Sequence, residues 1–205
     1  NRGLPAFLGG LVKGTPRFLV HYSSDQVFNG RKDSPYTEED KADPISLCGK
    51  SRLAGEQALL ELNADNICII RTGWLFGPDG DSFLKRLLGQ AKTEGTVEVI
   101  HDQIGSPTYA KDLAQATLQL VKRRAPGLYH VANSGQATWC ELAAEAVRQA
   151  SLPCSVRAIA SSDKTLRASY EVLSSAKYTA LTGCTMRPWS QALREYIYSV
   201  LLASQ

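Results

Sequence analysis

Short apolar runs that close in polar loops alternate with amphipathic stretches along this 205-residue chain. That alternation confines the fold to the α/β class with a mainly parallel sheet. Residues 18–22 (FLVHY) read as a buried strand that opens into Ser23, Ser24 and Asp25 at its carboxyl end. Turn-rich residues 29–44 follow, then a helix over about 47–62 with an apolar stripe at Leu53, Ala54, Ala58 and Leu59. Residues 66–76 (NICIIRTGWLF) form a second β-rich run, closed by Gly77, Pro78, Asp79 and Gly80. Further along, 82–93 reads as helix, 96–100 as strand, 110–124 as helix and 128–132 as strand. Thr138 is placed as the N-cap of a helix running to Gln149, with Glu141 as its capping-box partner. A short strand at 155–159, a short helix at 175–181 ended by Gly183, and a last helix from Pro188 to about Ala203 complete the pattern.

Composition narrows the class. With 43% hydrophobic and 21% charged residues the chain can bury a core and reads as globular, in one or two domains. Basic residues outnumber acidic ones by only 23 to 20, and the one basic cluster, Lys122, Arg123 and Arg124, falls where a helix ends and suits its dipole, so nucleic acid is not implied. Cys48, Cys68, Cys140, Cys154 and Cys184 have none of the paired spacings of zinc or redox sites, which points to a reduced, cytoplasmic protein without a metal. His21, His101 and His130 are dispersed and read as structural or surface residues. There is no apolar run of membrane-spanning length and no basic-then-apolar leader pattern. The chain opens on Asn1 and its only methionine is Met186, so residue 1 is read as lying downstream of the start of translation.

A doubly wound nucleotide-binding sheet usually needs five or more strands, and only two strong buried ones precede residue 82. The glycine-rich turn that lets a dinucleotide pyrophosphate approach a helix N-terminus is also missing; Gly9, Gly10 and Gly14 precede the first strand and read as loop glycines. The expected architecture is a partial Rossmann-like sheet with its leading strands absent. Residues 1–100 would form the later part of the dinucleotide-binding domain, and residues 101–205 mainly a smaller mixed α/β substrate region with segments returning to the core.

Six segments carry a family resemblance: HYSSDQVFNG (21–30), CGKSRLAGEQ (48–57), RTGWLFG (71–77), DQIGSPTYAKDLA (102–114), GLYHVANSGQATWCELA (127–143) and RPWSQAL (187–193). In order and spacing they resemble the dTDP-4-dehydrorhamnose reductase family of extended short-chain dehydrogenases/reductases, and the match runs over nearly the whole chain. By that comparison about the first third of the usual chain is absent. The resemblance implies NADPH-dependent reduction of the C4 ketone of a dTDP-linked 6-deoxy-hexulose, giving dTDP-L-rhamnose. It also implies a tyrosine as proton donor, a lysine four residues later that binds the nicotinamide ribose and lowers the tyrosine pKa, and a Ser or Thr on the carbonyl oxygen.

Carried over residue by residue, the resemblance puts Ser24 in the Ser/Thr role, Cys48 at the tyrosine position and Arg52 at the lysine position. A cysteine sulfur lies about 2.8 Å from its Cα and a tyrosine oxygen roughly 6.5 Å, so the thiol stops short of a substrate that a phenol would reach. Arginine keeps the charge but presents a planar fork in place of an ammonium. Lys50 offers no rescue, because two residues of helix turn it about 200° from the face of Cys48. Gln26 stands where the family carries tyrosine. Trp74 is expected to pack against sugar or nicotinamide, or equally to fill the core at a strand end. Gln103, Ser106 and Thr108 fall in the family's substrate-side loop. Arg167 matches a substrate-domain arginine placed near the diphosphate, with Ala168 where a proline usually follows.

Two readings stay open. In one, this is a partial chain of an NADPH-dependent reductase, its leading strands and their glycine turn cut off, disordered or supplied by another segment; the expected partners are a homodimer mate or that missing N-terminal segment. In the other, it is a non-catalytic nucleotide-sugar-binding or regulatory protein-binding module, as the regulatory subunit of methionine adenosyltransferase resembles this reductase family. Both can hold together, and deliberate substitution at Cys48 and Arg52 is a third origin for the altered pair. On either reading the chain as it stands is expected to be inactive.

Overall fold

In the computed structural model, which describes residues 2–162 and 167–202, the molecule is organised around β2 (Ile67–Thr72), all six residues of which are buried. It pairs in parallel with β1 (Leu19–Ser24) on one side and β7 (Gly127–His130) on the other. A strand covered on both faces and flanked on both edges needs the continuous apolar run seen in its sequence. No strand pairs with the outer edge of β1 among the described residues.

Helix α1 (Gly3–Val12) precedes β1, and α2 (Leu47–Leu60) connects β1 to β2. Gly9 and Gly10 therefore lie within a helix, not in a loop. The reason is contact: a Cβ at Gly9 would come within 2.5 Å of Leu62 and 2.7 Å of Leu59, so glycine is what lets α1 press onto α2 and the chain after it. Gly14 lies after the helix with φ of +71°. The outward face of α1 remains apolar, with Leu4, Phe7 and Leu11 more than half exposed.

The β-rich run at 66–76 is split. β2 ends at Thr72, and β3 (Leu75–Phe76) starts a separate two-stranded pairing with β6 (Thr108–Tyr109). At the break Trp74 has φ of +48°, and any side chain at Gly73 would collide with the Asp25 carboxylate. Helix α3 (Phe83–Ala91) is capped by Ser82, β4 (Thr96–Ile100) pairs in parallel with β9 (Ser155–Ile159), and α5 (Trp139–Gln149) starts with the capping box of Thr138 and Glu141. β5 (Ile104–Gly105) pairs antiparallel with β8 (Ala137–Thr138). Helix α4 (Ala110–Lys122) and the short α6 (Ala176–Thr182), closed by left-handed Gly183, return to the central sheet, where Leu113, Leu120 and Tyr178 pack with Cys68, Ile70 and Tyr129. The last helix, α7 (Trp189–Leu202), packs Leu193, Tyr196 and Ile197 with the aromatic cluster of Trp74, Phe76 and Tyr109.

Inside the sheet layer, Arg71 donates from Nε and Nη2 to the Glu56 carboxylate, at 2.9 and 2.6 Å, and both side chains are almost fully buried. Arg71 Nη1 lies 3.4 Å from His130 Nε2, while His130 Nδ1 lies 3.1 Å from the Tyr36 carbonyl. A carbonyl can only accept and a guanidinium only donate, so the imidazole is neutral with its proton on Nδ1. Burial, with Arg71 adding to it, pushes the His130 pKa down to about 3.

Candidate functional site

The carboxyl end of β1 supplies the first wall. Ser24 is extended, its Oγ donates to Asp25 Oδ1 at 2.7 Å, and it accepts from the Gln26 N–H at 3.2 Å, which turns the chain into a single 3-10 turn at Asp25–Val27. The first turn of α2, capped by Ser46, is pressed onto that turn, because Gly49 has no Cβ to collide with the Gln26 carbonyl. Cys48 sits in this helical turn as an exposed free thiol. Arg52, one turn on, donates from Nη1 to the Tyr22 carbonyl at 3.3 Å, and its Nε is buried without a partner.

The second wall is aromatic and charged. Trp74 is buried and stacks on Trp139 at 3.6 Å between ring centroids and 6° between planes; Gly105 leaves the space that its indole occupies. The Arg167 guanidinium lies 5.8 Å from the Trp74 ring centroid and 5.4 Å from that of Trp139, within cation–π range. Arg167 Nε also donates to Glu171 at 2.9 Å. Gln103 and Arg167 line a cavity of about 150 Å³ together with Asn29, Asp102, Ser161 and Ser169. Ser106 is fully buried and its Oγ accepts from the Leu173 N–H at 3.0 Å, while Thr108 donates back to the Ser106 carbonyl.

Two buried carboxyls meet this guanidinium. Asp25 and Glu171 are 1% and 2% exposed. Burial raises the pKa of Asp25, against the opposing pull of Arg167 and the Ser24 hydrogen bond. Burial, followed by the neighbouring Asp25 charge, carries Glu171 up to about 7. The structure thus brings Ser24, Trp74 and Arg167 of the expected site residues into one neighbourhood with Asp25, Glu171 and Trp139, which sequence reasoning did not single out. Gln26 and Cys48 border it, and Ser106 faces into the protein. The SSD run already displayed Asp25, and Glu171 lies four residues after Arg167, but only the fold puts the two carboxyls around one cation.

These shifts have opposite consequences for stability. His130 titrates far below its ordinary 6.5, so the unfolded chain gains the proton first and stability falls as pH drops through 6.5. The Asp25 and Glu171 pair, by contrast, keeps a proton above the ordinary 4.5 of a glutamic acid, so its burial is tolerated best when it holds that proton, and stability falls as pH rises toward 7. Each effect is worth about 2 kcal/mol between about pH 5 and 7.5. In urea titrations at those two pH values, Glu171→Gln is expected to make the protein more acid-labile by about 2 kcal/mol, and His130→Gln less so by a similar amount. An unchanged pH response in both variants would refute the assignment.

The residues suit one end of a nicotinamide dinucleotide better than the other. Ser24 offers a hydroxyl at a strand end, and the buried, unpartnered Arg52 Nε is a donor without a role in the fold. No glycine-rich strand-to-helix turn occurs among the described residues to receive a pyrophosphate.

The model of the RmlD substrate binding domain matches residues 5–202. The chain belongs to that family. Relatives within reach of this RmlD-type chain include the spore coat polysaccharide biosynthesis protein SpsK of Bacillus subtilis strain 168, 41% identical over 183 residues, covering 87% of this chain and 63% of the relative. The dTDP-4-keto-6-deoxy-D-glucose reductase of Streptomyces niveus is 37% identical over 86% of this chain and 63% of its own length. The chain thus spans under two thirds of the length of these relatives. Among solved structures, the dTDP-4-dehydrorhamnose reductase of Bacillus anthracis strain Ames in complex with NADP superposes with a TM-score of 0.91 at 30% identity, covering 97% of this chain and 71% of that one. The Rossmann-like α/β class expected from the sequence is the class of these structures.

Proposed function

We propose that this chain forms part of an NADPH-dependent reductase acting on the C4 ketone of a dTDP-linked 6-deoxy sugar, with its proton donor altered. The observation that carries this reading is the placement of Ser24 at the carboxyl end of β1, beside the buried carboxyls of Asp25 and Glu171 and the half-buried Arg167. Open parallel sheets bind ligands at that end of their strands. Ser24 holds the sugar carbonyl oxygen, Arg167 and Gln103 face the nucleotide-linked portion, and Arg52 supplies positive charge toward the ribose. When bound, a reduced nicotinamide supplies the hydride. Residues 1–100 serve mainly the cofactor side and 101–205 mainly the sugar side, with segments of the latter returning to the central sheet, in a protein of the reduced cytoplasm.

Calorimetric titration with a dTDP-linked 6-deoxy-4-keto sugar tests the reading. Saturable binding is expected, weakened about 10-fold or more by Arg167→Gln, as befits loss of a charged hydrogen bond. Binding of equal strength in that variant, or none in the parent, would reject it. The tie of Arg52 to the Tyr22 carbonyl and the exposed Cys48 thiol favour a second reading, a sugar-nucleotide-binding module without turnover.

A further inference from the structure

The roles above leave Asp25 unused, although it is the ionisable side chain bonded to Ser24. Its Oδ1 takes the Ser24 contact at 2.7 Å, and its Oδ2 is buried without a partner against the backbone of Gly73, where even a methyl group would overlap it. A buried carboxylate oxygen with no donor is costly, and retaining a proton removes most of that cost. The charge count agrees. Asp25 and Glu171 face one guanidinium, so the arrangement is neutral when the two carboxyls hold one proton between them, and the Arg167 Nε bond to Glu171 leaves that proton to Asp25.

That proton decides what Ser24 can do. The Gln26 N–H already occupies one side of Oγ. With Asp25 ionised, the single hydroxyl proton of Ser24 is held by Oδ1, and Ser24 has nothing to donate to a bound carbonyl oxygen. With Asp25 protonated, the carboxyl donates to Oγ across the same 2.7 Å contact, and the Ser24 proton is free to turn toward a ligand. The exposed thiol of Cys48, being short, offers no comparable route.

We propose that Asp25 is the proton source of this site, acting through the Ser24 hydroxyl on the oxygen of a bound keto sugar. The inference rests on the reductase reading. Hydride from a reduced nicotinamide forms the new C–H bond at the keto carbon, and the C=O π pair becomes a lone pair on oxygen. That oxygen takes the Ser24 proton, Oγ takes the Asp25 proton, and the nicotinamide is left oxidised. Asp25 ends as a carboxylate in the field of Arg167 and regains its proton from solvent after product leaves.

Infrared difference spectra between the parent chain and Asp25→Asn, recorded from about pH 5 to 8, read the proton directly. The expected result is a protonated-carboxyl band in the parent that persists above the ordinary carboxylate range and is absent in the variant. A carboxylate band at Asp25 throughout that range would overturn the proposal, whether or not the protein turns over. In the full-length protein, kcat is expected to fall as pH rises through the Asp25 titration. Asp25→Asn should remove that limb and lower kcat about 100-fold, whereas Glu171→Gln, which alters the other carboxyl facing Arg167, should keep the limb. A limb that survives in Asp25→Asn would overturn the relay. Absence of turnover in the parent and also in a Cys48→Tyr, Arg52→Lys variant would defeat the reductase reading, and the infrared result would still judge Asp25.

Discussion

Replacing Glu56 by glutamine is expected to lower the unfolding free energy by about 3–5 kcal/mol, because it strands a buried guanidinium without a counter-charge. The Glu56 carboxylate is fully buried and takes Arg71 through both Nε and Nη2, while the Arg71 guanidinium carbon lies 5.1 Å from the Phe28 ring centroid and Nη1 reaches His130. With glutamine, the positive charge keeps its desolvation penalty and loses its compensation. Removing both charges, as Glu56→Leu with Arg71→Met, should therefore restore a large part of the loss, because two apolar side chains of similar volume carry no such penalty. Urea unfolding of the two single variants and the double variant closes the cycle. A single-variant loss under about 1 kcal/mol would mean that the pair is hydrated and that β2 is not the dry centre described above.

Restoring tyrosine at Cys48 and lysine at Arg52 together is expected to raise turnover of a dTDP-linked 6-deoxy-4-keto sugar by about 100-fold to 10,000-fold in the full-length protein, the usual worth of a placed general acid. The phenol reaches several ångströms beyond the thiol, by about 4 Å on standard bond lengths. An ammonium on the next turn of the same helix face depresses its pKa. Cys48→Tyr alone should give less, because Arg52 is bonded to the Tyr22 carbonyl and not free to orient toward the phenol. In the doubly restored background, Asp25→Asn should cost less than about tenfold, since the direct donor then bypasses Ser24. Steady-state assays of NADPH oxidation report all three values. No gain in the double variant would remove the reductase interpretation and leave ligand binding as the function to pursue.

Much of the fold was legible because its signals are local. The capping box of Thr138 and Glu141, the Gly183 stop and the apolar run at residues 67–70 of β2 each state their own conformation. α1 was illegible for an equally physical reason. Glycine disfavours helix in isolation, and what keeps Gly9 helical is its contact with Leu59 and Leu62, some fifty residues away. The division of 66–76 into two strands likewise depends on Asp25 lying under Gly73. In the site, Ser24 was readable from its position after an apolar strand. The partners that set its protonation, Glu171 and Arg167, lie nearly 150 residues on, and nothing short of the folded chain brings them around Asp25.

The open edge of β1 and the bare apolar face of α1 divide the molecule by how readily its amides meet solvent. β2, flanked on both sides, should release its amide protons only through global unfolding. The outward-facing amides of β1 have no ladder partner among the described residues and should exchange within the first moments of transfer to heavy water, even though they neighbour the slowest strand. The result is a steep protection gradient across a single strand spacing. It runs through Ser24, so the residue that carries the proposed chemistry sits where the rigid centre of the sheet gives way to its most easily opened margin.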